Sequence, residues 1–266
     1  MTSRPTGSPS CICAQFAARV LVALIGFCAG NASAADLRVF CPTALREPVL
    51  ELTRSFARAS GQRVEFVFAS VGAVHKRIAS GERADLAVGT SEGVEALVRL
   101  GPGVDGSQAV IARSALALAT LPGRLAPSVA GAQAVARALL SARSIAAPDA
   151  RAGVPGGAQV AELLKELQLT EALQPRMRWL FDAREAGKRV ASGDVELAVA
   201  AMNDVVGVAG VEVVGPITEP MTHATVYAAV ITRSAANPEG ARAFIVHLRA
   251  PEAASVFRRA GYVAAE

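Results

Sequence analysis

The sequence predicts an α/β protein of two similar lobes, each a mainly parallel sheet flanked by helices, joined by two crossover strands. Three observations carry that prediction. Short apolar runs alternate with amphipathic helical stretches, a phrase from the first half returns 112 positions later, and two long apolar stretches stand where the chain would pass between the copies.

Residues 37–41 form the first apolar run, after which Leu45, Val49, Leu52, Phe56 and Ala59 recur at helical spacing up to Gly61. Residues 64–68 read as a second strand and Val71–Ala79 as a helix closed by Gly81. A third strand follows at 84–88, and then a helix carrying Val94, Leu97 and Val98. Alternation of this kind favours a parallel sheet, whose buried strands read as unbroken apolar runs, as these do. Residues 108–120 are long and apolar and are followed by Pro122-Gly123 and Pro127. Residues 145–147 are the next strand, and Val160, Leu163, Leu164 and Leu167 the next helical stripe. Asp182 with Glu185 three positions on reads as a capping box for a helix reaching Ala191. Strands are predicted at 195–200 and 211–214. After Gly215-Pro216, the apolar stretch 224–232 leads into two helices that open with Pro238 and Pro251.

The repeat relates these elements to one another. Arg77-Ile78-Ala79-Ser80-Gly81-Glu82 precedes Asp85-Leu86-Ala87-Val88, and Arg189-Val190-Ala191-Ser192-Gly193-Asp194 precedes Glu196-Leu197-Ala198-Val199. In each copy a glycine stops a helix and an acidic residue precedes a buried strand. The expected division is therefore 35–115 plus 225–266 for one lobe and 116–224 for the other. Stretches 108–120 and 224–232 are the expected crossovers, which makes the space between the lobes a hinged cleft.

Composition narrows the class. Of 266 residues, 52% are hydrophobic, 19% charged and 5% aromatic, which excludes a disordered or fibrous chain. A formal charge of +4 is too small to argue for nucleic acid or an anionic membrane as partner. The first 34 residues read as an export signal: Arg4 and Arg19 precede or enter an apolar run over 20–28, and Ala32-Ser33-Ala34 is a small-residue cleavage site. Removing them takes away two arginines and leaves a charge of +2. Cys11, Cys13 and Cys28 lie in that segment, so the exported chain keeps Cys41 alone and forms no internal disulfide. Phe27 before Cys28 argues against a lipid anchor. The expected location is the periplasm.

Several motifs fail on context. Gly89-Thr90-Ser91-Glu92-Gly93 fits the G-x-S-x-G of a nucleophile elbow between strand and helix, with His223 or His247 as the only downstream histidines. No oxyanion segment precedes it, and Ser91 is expected to cap the helix instead. Gly101-Pro102-Gly103-Val104-Asp105-Gly106 follows a helix and contains proline, so it is a loop and not a dinucleotide site. Gly187-Lys188 lacks the upstream glycine of a phosphate-binding loop, and the three histidines have no metal spacing. No cofactor or metal is implied.

Position supplies the remaining signal. Ligands of open α/β sheets bind beyond the carboxyl ends of strands, where helix N-termini present unpaired N–H groups suited to anions. Those places are Pro42-Thr43-Ala44, Ser70-Val71-Gly72, Gly153-Val154-Pro155-Gly156-Gly157 and Met202-Asn203-Asp204. The candidate ligand-binding residues are accordingly Thr43, Ala44, Ser70, Val71, Gly72, Gly156, Gly157, Met202 and Asn203.

At these residues the chain resembles the periplasmic substrate-binding proteins of molybdate ABC transporters and their broader proteobacterial relatives. Leu37-Arg38-Val39-Phe40 leading to Ala44-Leu45 carries the likeness, as do Phe68-Ala69-Ser70, Ile78-Ala79-Ser80-Gly81 with Ala84-Asp85-Leu86, Val226-Tyr227, and the ending from Pro251 to Gly261. The resemblance implies a type II periplasmic-binding fold, a small anionic ligand, a membrane permease as partner, and a monomer. The family's molybdate binders use neutral donors, including a serine in the first loop, another after the Phe-Ala-Ser phrase and a tyrosine at the end of a second-lobe strand. Here Ala44, Val71 and Ala201 stand there, with Thr43 and Ser70 as neighbours. Those losses favour an organic carboxylate, for which Arg46, Arg151 and Arg184 lie near the loops. An aconitate isomerase also resembles this broader group. The alternative is therefore a periplasmic enzyme moving a proton on a small di- or tricarboxylate, with Glu47, Asp149, Asp204 or His223 as base.

Overall fold

The computed structural model describes residues 36–123, 128–152, 154–217 and 220–264. The export signal, Gly153 and Pro127 lie outside the described residues.

A mixed six-stranded sheet comes first. β1 (Leu37–Pro42), β2 (Val64–Ala69) and β3 (Leu86–Thr90) run parallel, with β1 in the middle. β4 (Ala109–Ser114), β10 (Thr225–Ile231) and β11 (Val263–Ala264) complete the order β11, β4, β10, β3, β1, β2. Side chains alternate across it, as strand geometry requires. Leu37, Val39 and Cys41 face helices α1 (Arg46–Ser60), α9 (Pro238–Leu248) and α10 (Pro251–Arg259). Phe40, Ala87 and Val230 face α2 (Val71–Ala79) and α3 (Ser91–Leu100) on the other side.

The second sheet has β5 (Leu116–Thr120), β6 (Ile145–Pro148), β7 (Met177–Leu180), β8 (Leu197–Ala201) and β9 (Glu212–Ile217), in the order β7, β6, β8, β5, β9. Leu116, Leu118, Ile145 and Val199 pack with residues of α4 (Ala132–Ser141), α5 (Gly157–Glu166) and α6 (Thr170–Leu173). The opposite face is mostly alanine, with Ala119, Ala146, Ala198 and Ala200. It takes α7 (Glu185–Ala191) and α8 (Met202–Val205) in close packing. Strands β1 and β8 belong to different sheets, as the two-lobed fold requires.

The repeat is structural. Ser80 and Ser192 each donate a hydroxyl to the carbonyl three residues back, of Arg77 and of Arg189. Arg77 pairs with Glu82 at 2.6 Å and Arg189 with Asp194 at 3.3 Å. Each copy then enters a strand, β3 or β8, flanked by one parallel and one antiparallel neighbour.

Two details differ from expectation. The stretch 108–120 does cross between the sheets, but it breaks at Ala115 into β4 and β5. The stretch 224–232 does not cross: β10 lies wholly in the first sheet between β3 and β4, and the return from β9 is made before it. An apolar run reveals burial but not which sheet buries it. The Asp182 side chain accepts from Arg184 N–H at 3.0 Å, a local turn, while α7 begins later at Glu185 without a side-chain cap. The predicted capping box is therefore absent. No helix among the described residues is long and apolar enough to cross a membrane.

Candidate functional site

Strand register brings the functional loops toward one place. Thr90, the last residue of β3, pairs with Tyr227, which also pairs with Ala112, and Thr225 pairs with Ser114. The carboxyl ends of the parallel strands of the first sheet therefore lie level with the end of β4, where the chain crosses. On the far side of the crossing, Leu116 pairs with Ala201, the last residue of β8. Both sheets thus present the carboxyl ends of parallel strands at the crossover, the location where such sheets bind ligands.

On the first sheet, Pro42 pairs with Ala69, so the loops after β1 and β2 are adjacent. Thr43 is exposed, and its hydroxyl donates to Ala69 O at 3.2 Å, which leaves only oxygen lone pairs for a ligand. Ala44 is exposed, and its carbonyl accepts from Tyr262 Oη at 2.6 Å. Ser70 caps α2: its Oγ accepts from Ala73 N–H at 3.3 Å, so its own O–H can still donate outward. Half-buried Val71 and exposed Gly72 fill the first turn of α2, where backbone N–H groups have no intrahelical acceptor. Open space lies beyond Gly72, with no heavy atom within 4 Å of where a Cβ would stand. These five predicted residues form one exposed edge.

The second-sheet residues divide. Gly156 caps α5 in the left-handed region at φ +81°, and a Cβ there would lie 3.6 Å from Pro148 and 4.0 Å from Ala201 N. It therefore joins the ends of β6 and β8. Gly157 is buried, donates its N–H to Val154 O at 3.0 Å, and lies so close to Ala150 that a Cβ would be 2.6 Å from that backbone nitrogen. Met202 N–H donates to Ala115 O at 2.9 Å, and the Asn203 amide bonds Ser114 and Asp204. Gly157, Met202 and Asn203 thus spend predicted donors on the protein itself.

Three arginines stand at these same strand ends. The Arg46 guanidinium lies 4.1 Å over the Phe68 ring, an arrangement that leaves its edges to donate. Arg151 pairs with Asp149 at 3.4 Å and Arg184 with Asp182 at 3.7 Å. Hydrogen bonds from the Arg151 backbone N–H hold the Asp149 carboxyl below the usual range, against a smaller effect of burial. His223 is exposed and lies 3.7 Å from Glu162. Burial pushes Asp204 up to about 6, with Arg184 opposing and Asp182 reinforcing. Asp149 and Asp204 are therefore shifted in opposite directions. Burial likewise raises the Cys41 thiol, which packs in the core beneath the first loop.

Thr90, not Ser91, caps α3: its Oγ1 accepts from Gly93 N–H at 3.3 Å. The strand keeps extended backbone through Thr90, and Ser91 is already helical, so the cap falls one residue earlier than predicted. His247 bonds Ser55 and Leu52 O between α9 and α1, on the opposite face of the sheet from α3. That face excludes His247 as a partner of Ser91. No cluster of three or more His, Cys, Asp or Glu suited to a metal occurs among the described residues. A cavity of about 570 Å³ runs along the whole edge strand β7 beside Trp179, with Arg189 and Asp194 on its wall.

Ser114, Tyr227 and Tyr262 stand at this junction and were not site candidates in the sequence. Their only signal was Val226-Tyr227 within the family likeness.

The chain is similar to several known proteins. An aconitate isomerase from Pseudomonas sp is 25% identical over 219 residues, covering 80% of this chain and 82% of that protein. The molybdate-binding protein ModA of Azotobacter vinelandii is 27% identical over 253 residues, covering 92% and 96%. The substrate-binding domain of a candidate molybdenum ABC transporter from Clostridium difficile superposes with a TM-score of 0.79 at 18% identity, covering 87% and 99%. Residues 37–263 match the family described as bacterial extracellular solute-binding protein, and the chain belongs to that family.

Proposed function

We propose that the protein is an exported, monomeric solute-binding protein that captures a small anion between its lobes and delivers it to the membrane permease of an ABC importer. The observation that carries this reading is the exposed edge at Ser70, Val71 and Gly72. There a free hydroxyl proton and unpaired first-turn amides of α2 face open space beside the crossover. Gly156, with Ala158 and Gln159 in the first turn of α5 after the spent Gly157 amide, supplies the matching amides from the second lobe. The lobes divide near residue 115 and again between β9 and β10.

The ligand class is an organic carboxylate. Alanine or valine replaces the hydroxyl donors at Ala44, Val71 and Ala201, while Arg46, Arg151 and Arg184 offer the planar, paired donors that carboxylates accept. Each unsatisfied oxyanion acceptor in a closed cleft costs about 1 to 3 kcal/mol, which penalises molybdate. Calorimetric titration with citrate, tricarballylate, succinate and molybdate tests this. Binding of a carboxylate in preference to molybdate is expected, and a preference for molybdate rejects the ligand class.

The kinship to aconitate isomerase, together with the raised Asp204 carboxyl, supports a second reading in which the same cleft moves a proton on a bound tricarboxylate. Proton NMR of trans-aconitate incubated with the protein decides it. A new olefinic resonance that disappears in Asp204→Asn makes the protein an enzyme, and an unchanged spectrum removes this reading.

A further inference from the structure

A tyrosine hydroxyl stands without a partner where the lobes meet. Tyr227, on β10, pairs with Thr90 at the carboxyl end of β3 and with Ala112 of β4, two residues from the pair of Thr225 with Ser114 that marks the crossing. Its ring lies on the sheet face shared with Cys41 and meets Tyr262 edge-on, 6.0 Å between centroids. Tyr227 is 6% exposed, and its hydroxyl makes no hydrogen bond among the described residues. A buried hydroxyl left unbonded costs on the order of 1 to 3 kcal/mol, a cost that a bound partner removes.

The groups around it are already bonded. Tyr262 Oη donates to Ala44 O in the first loop at 2.6 Å. Gly261, just before it, presses on the second lobe, and a Cβ there would stand 2.8 Å from Asn203 N and Cα. Ser114 donates its hydroxyl to Asn203 Oδ1 at 2.5 Å, and Met202 N–H reaches Ala115 O at 2.9 Å, which completes a polar seam between the lobes. Tyr227 thus packs in a corner bounded by Tyr262, the first loop and the start of α8.

Charge in this corner is one-sided. Asp204, half-buried on α8, lies near enough to disfavour a second negative charge at either phenol, and its hydrogen-bond donor is the neutral amide of Asn203 at 3.1 Å. The arginines are engaged elsewhere, Arg46 over the Phe68 ring and Arg184 beside Asp182. A ligand carboxylate set against Tyr227 would therefore face Asp204 with no cationic donor between them. An alcohol hydroxyl meets no such penalty, since it accepts from Tyr227 Oη and donates to the lone pairs of Ser114 Oγ or Asp204.

Building on the reading of the cleft as a carboxylate site, we propose that Tyr227 determines its specificity: the phenol bonds an alcohol hydroxyl of the ligand, so hydroxycarboxylates bind ahead of their deoxy counterparts. The discrimination follows because a deoxy ligand leaves the Tyr227 hydroxyl unbonded inside a closed cleft. This hydroxyl comes from the first lobe, whereas Ala201 offers none from the second.

Calorimetric titration above the Asp204 value of about 6, with two pairs of acids that differ by one hydroxyl, tests this. The pairs are citrate with tricarballylate and malate with succinate. Wild type should bind the hydroxylated member of at least one pair about tenfold more tightly. Tyr227→Phe, which removes one oxygen, should bring that ratio to about one and hold the affinity of the deoxy member within about twofold. Equal binding of both members in wild type, or a preference that survives Tyr227→Phe, overturns the assignment and leaves carboxylate capture standing. Failure of all four acids to bind removes the carboxylate reading and the assignment with it. Tyr227 and Tyr262 are the two tyrosines of the chain, and Tyr262 is already bonded. The preferred hydroxy acid should therefore perturb the near-ultraviolet tyrosine absorption of wild type, and its deoxy partner should not. If Tyr227→Phe fails to fold by circular dichroism, this band decides, and its absence overturns the assignment.

Discussion

The two copies of the repeat are alike up to the last residue of their strands and differ beyond it. Both helices end on the same serine-glycine pair, and both carry an arginine-to-acid bridge before the strand. Both strands are preceded by an acid that binds the backbone of a neighbour. Asp85 accepts from Arg38 and Asn237 N–H, each at 2.8 Å, and Glu196 accepts from Arg143 N–H at 2.8 Å. Past the strand, Thr90 caps the ten-residue α3, whereas Ala201 leads into the four-residue α8, whose polar side chains join the interlobe seam. Scaffold is thus shared between the copies, and the parts at the crossover have diverged.

The largest effect should come from the shared acids, and it should be unequal. Asp85 is 4% exposed, so Asp85→Ala strands two backbone N–H groups and should cost about 4 kcal/mol in urea unfolding. Glu196→Ala, on a more open edge where water can replace the carboxylate, should cost about 1 kcal/mol. Equal costs would break the comparison by showing that the two acids sit in equivalent environments.

Next is the divergent side of the second copy. The folded pKa of Asp204 is raised from 3.8 to about 6, so stability is lost as pH climbs between those values. Asp204→Asn should match wild type near pH 4 and exceed it by on the order of 2 to 3 kcal/mol near pH 8. Thermal melts across that range check the sign. A variant less stable at high pH would contradict a burial-raised carboxyl.

The smallest effect belongs to the first copy's cap. Thr90→Ala should cost about 1 kcal/mol through loss of the bond to Gly93, and Ser91→Ala about nothing. Reversal of the two in chemical denaturation would restore Ser91 as the cap.

Much of this architecture was legible because its signals are local. The stripe of Val49, Leu52 and Phe56 and the runs 37–41 and 64–68 set helix and strand directly. Strand β7, Met-Arg-Trp-Leu, escaped because an edge strand of four residues with one exposed arginine has neither an apolar run nor a long alternation. The sheet that takes β10 was hidden for a different reason: pairing is a tertiary choice that its apolar sequence does not encode. At the site, helix N-termini could be placed from the sequence, so Ser70 and Gly156 sit where expected. Which donors are already spent depends on neighbours 89 positions away, as between Ser114 and Asn203, and no local pattern reports that.

The central claim is anion capture at the α2 edge between the lobes, and isothermal titration of wild type, Ser70→Ala and Ser91→Ala with citrate, tricarballylate, succinate and molybdate tests it most directly. A carboxylate should bind wild type and Ser91→Ala alike and Ser70→Ala about tenfold or more weakly, since one charge-assisted hydrogen bond is lost. Tight molybdate binding indifferent to Ser70→Ala would contradict both the ligand class and the site.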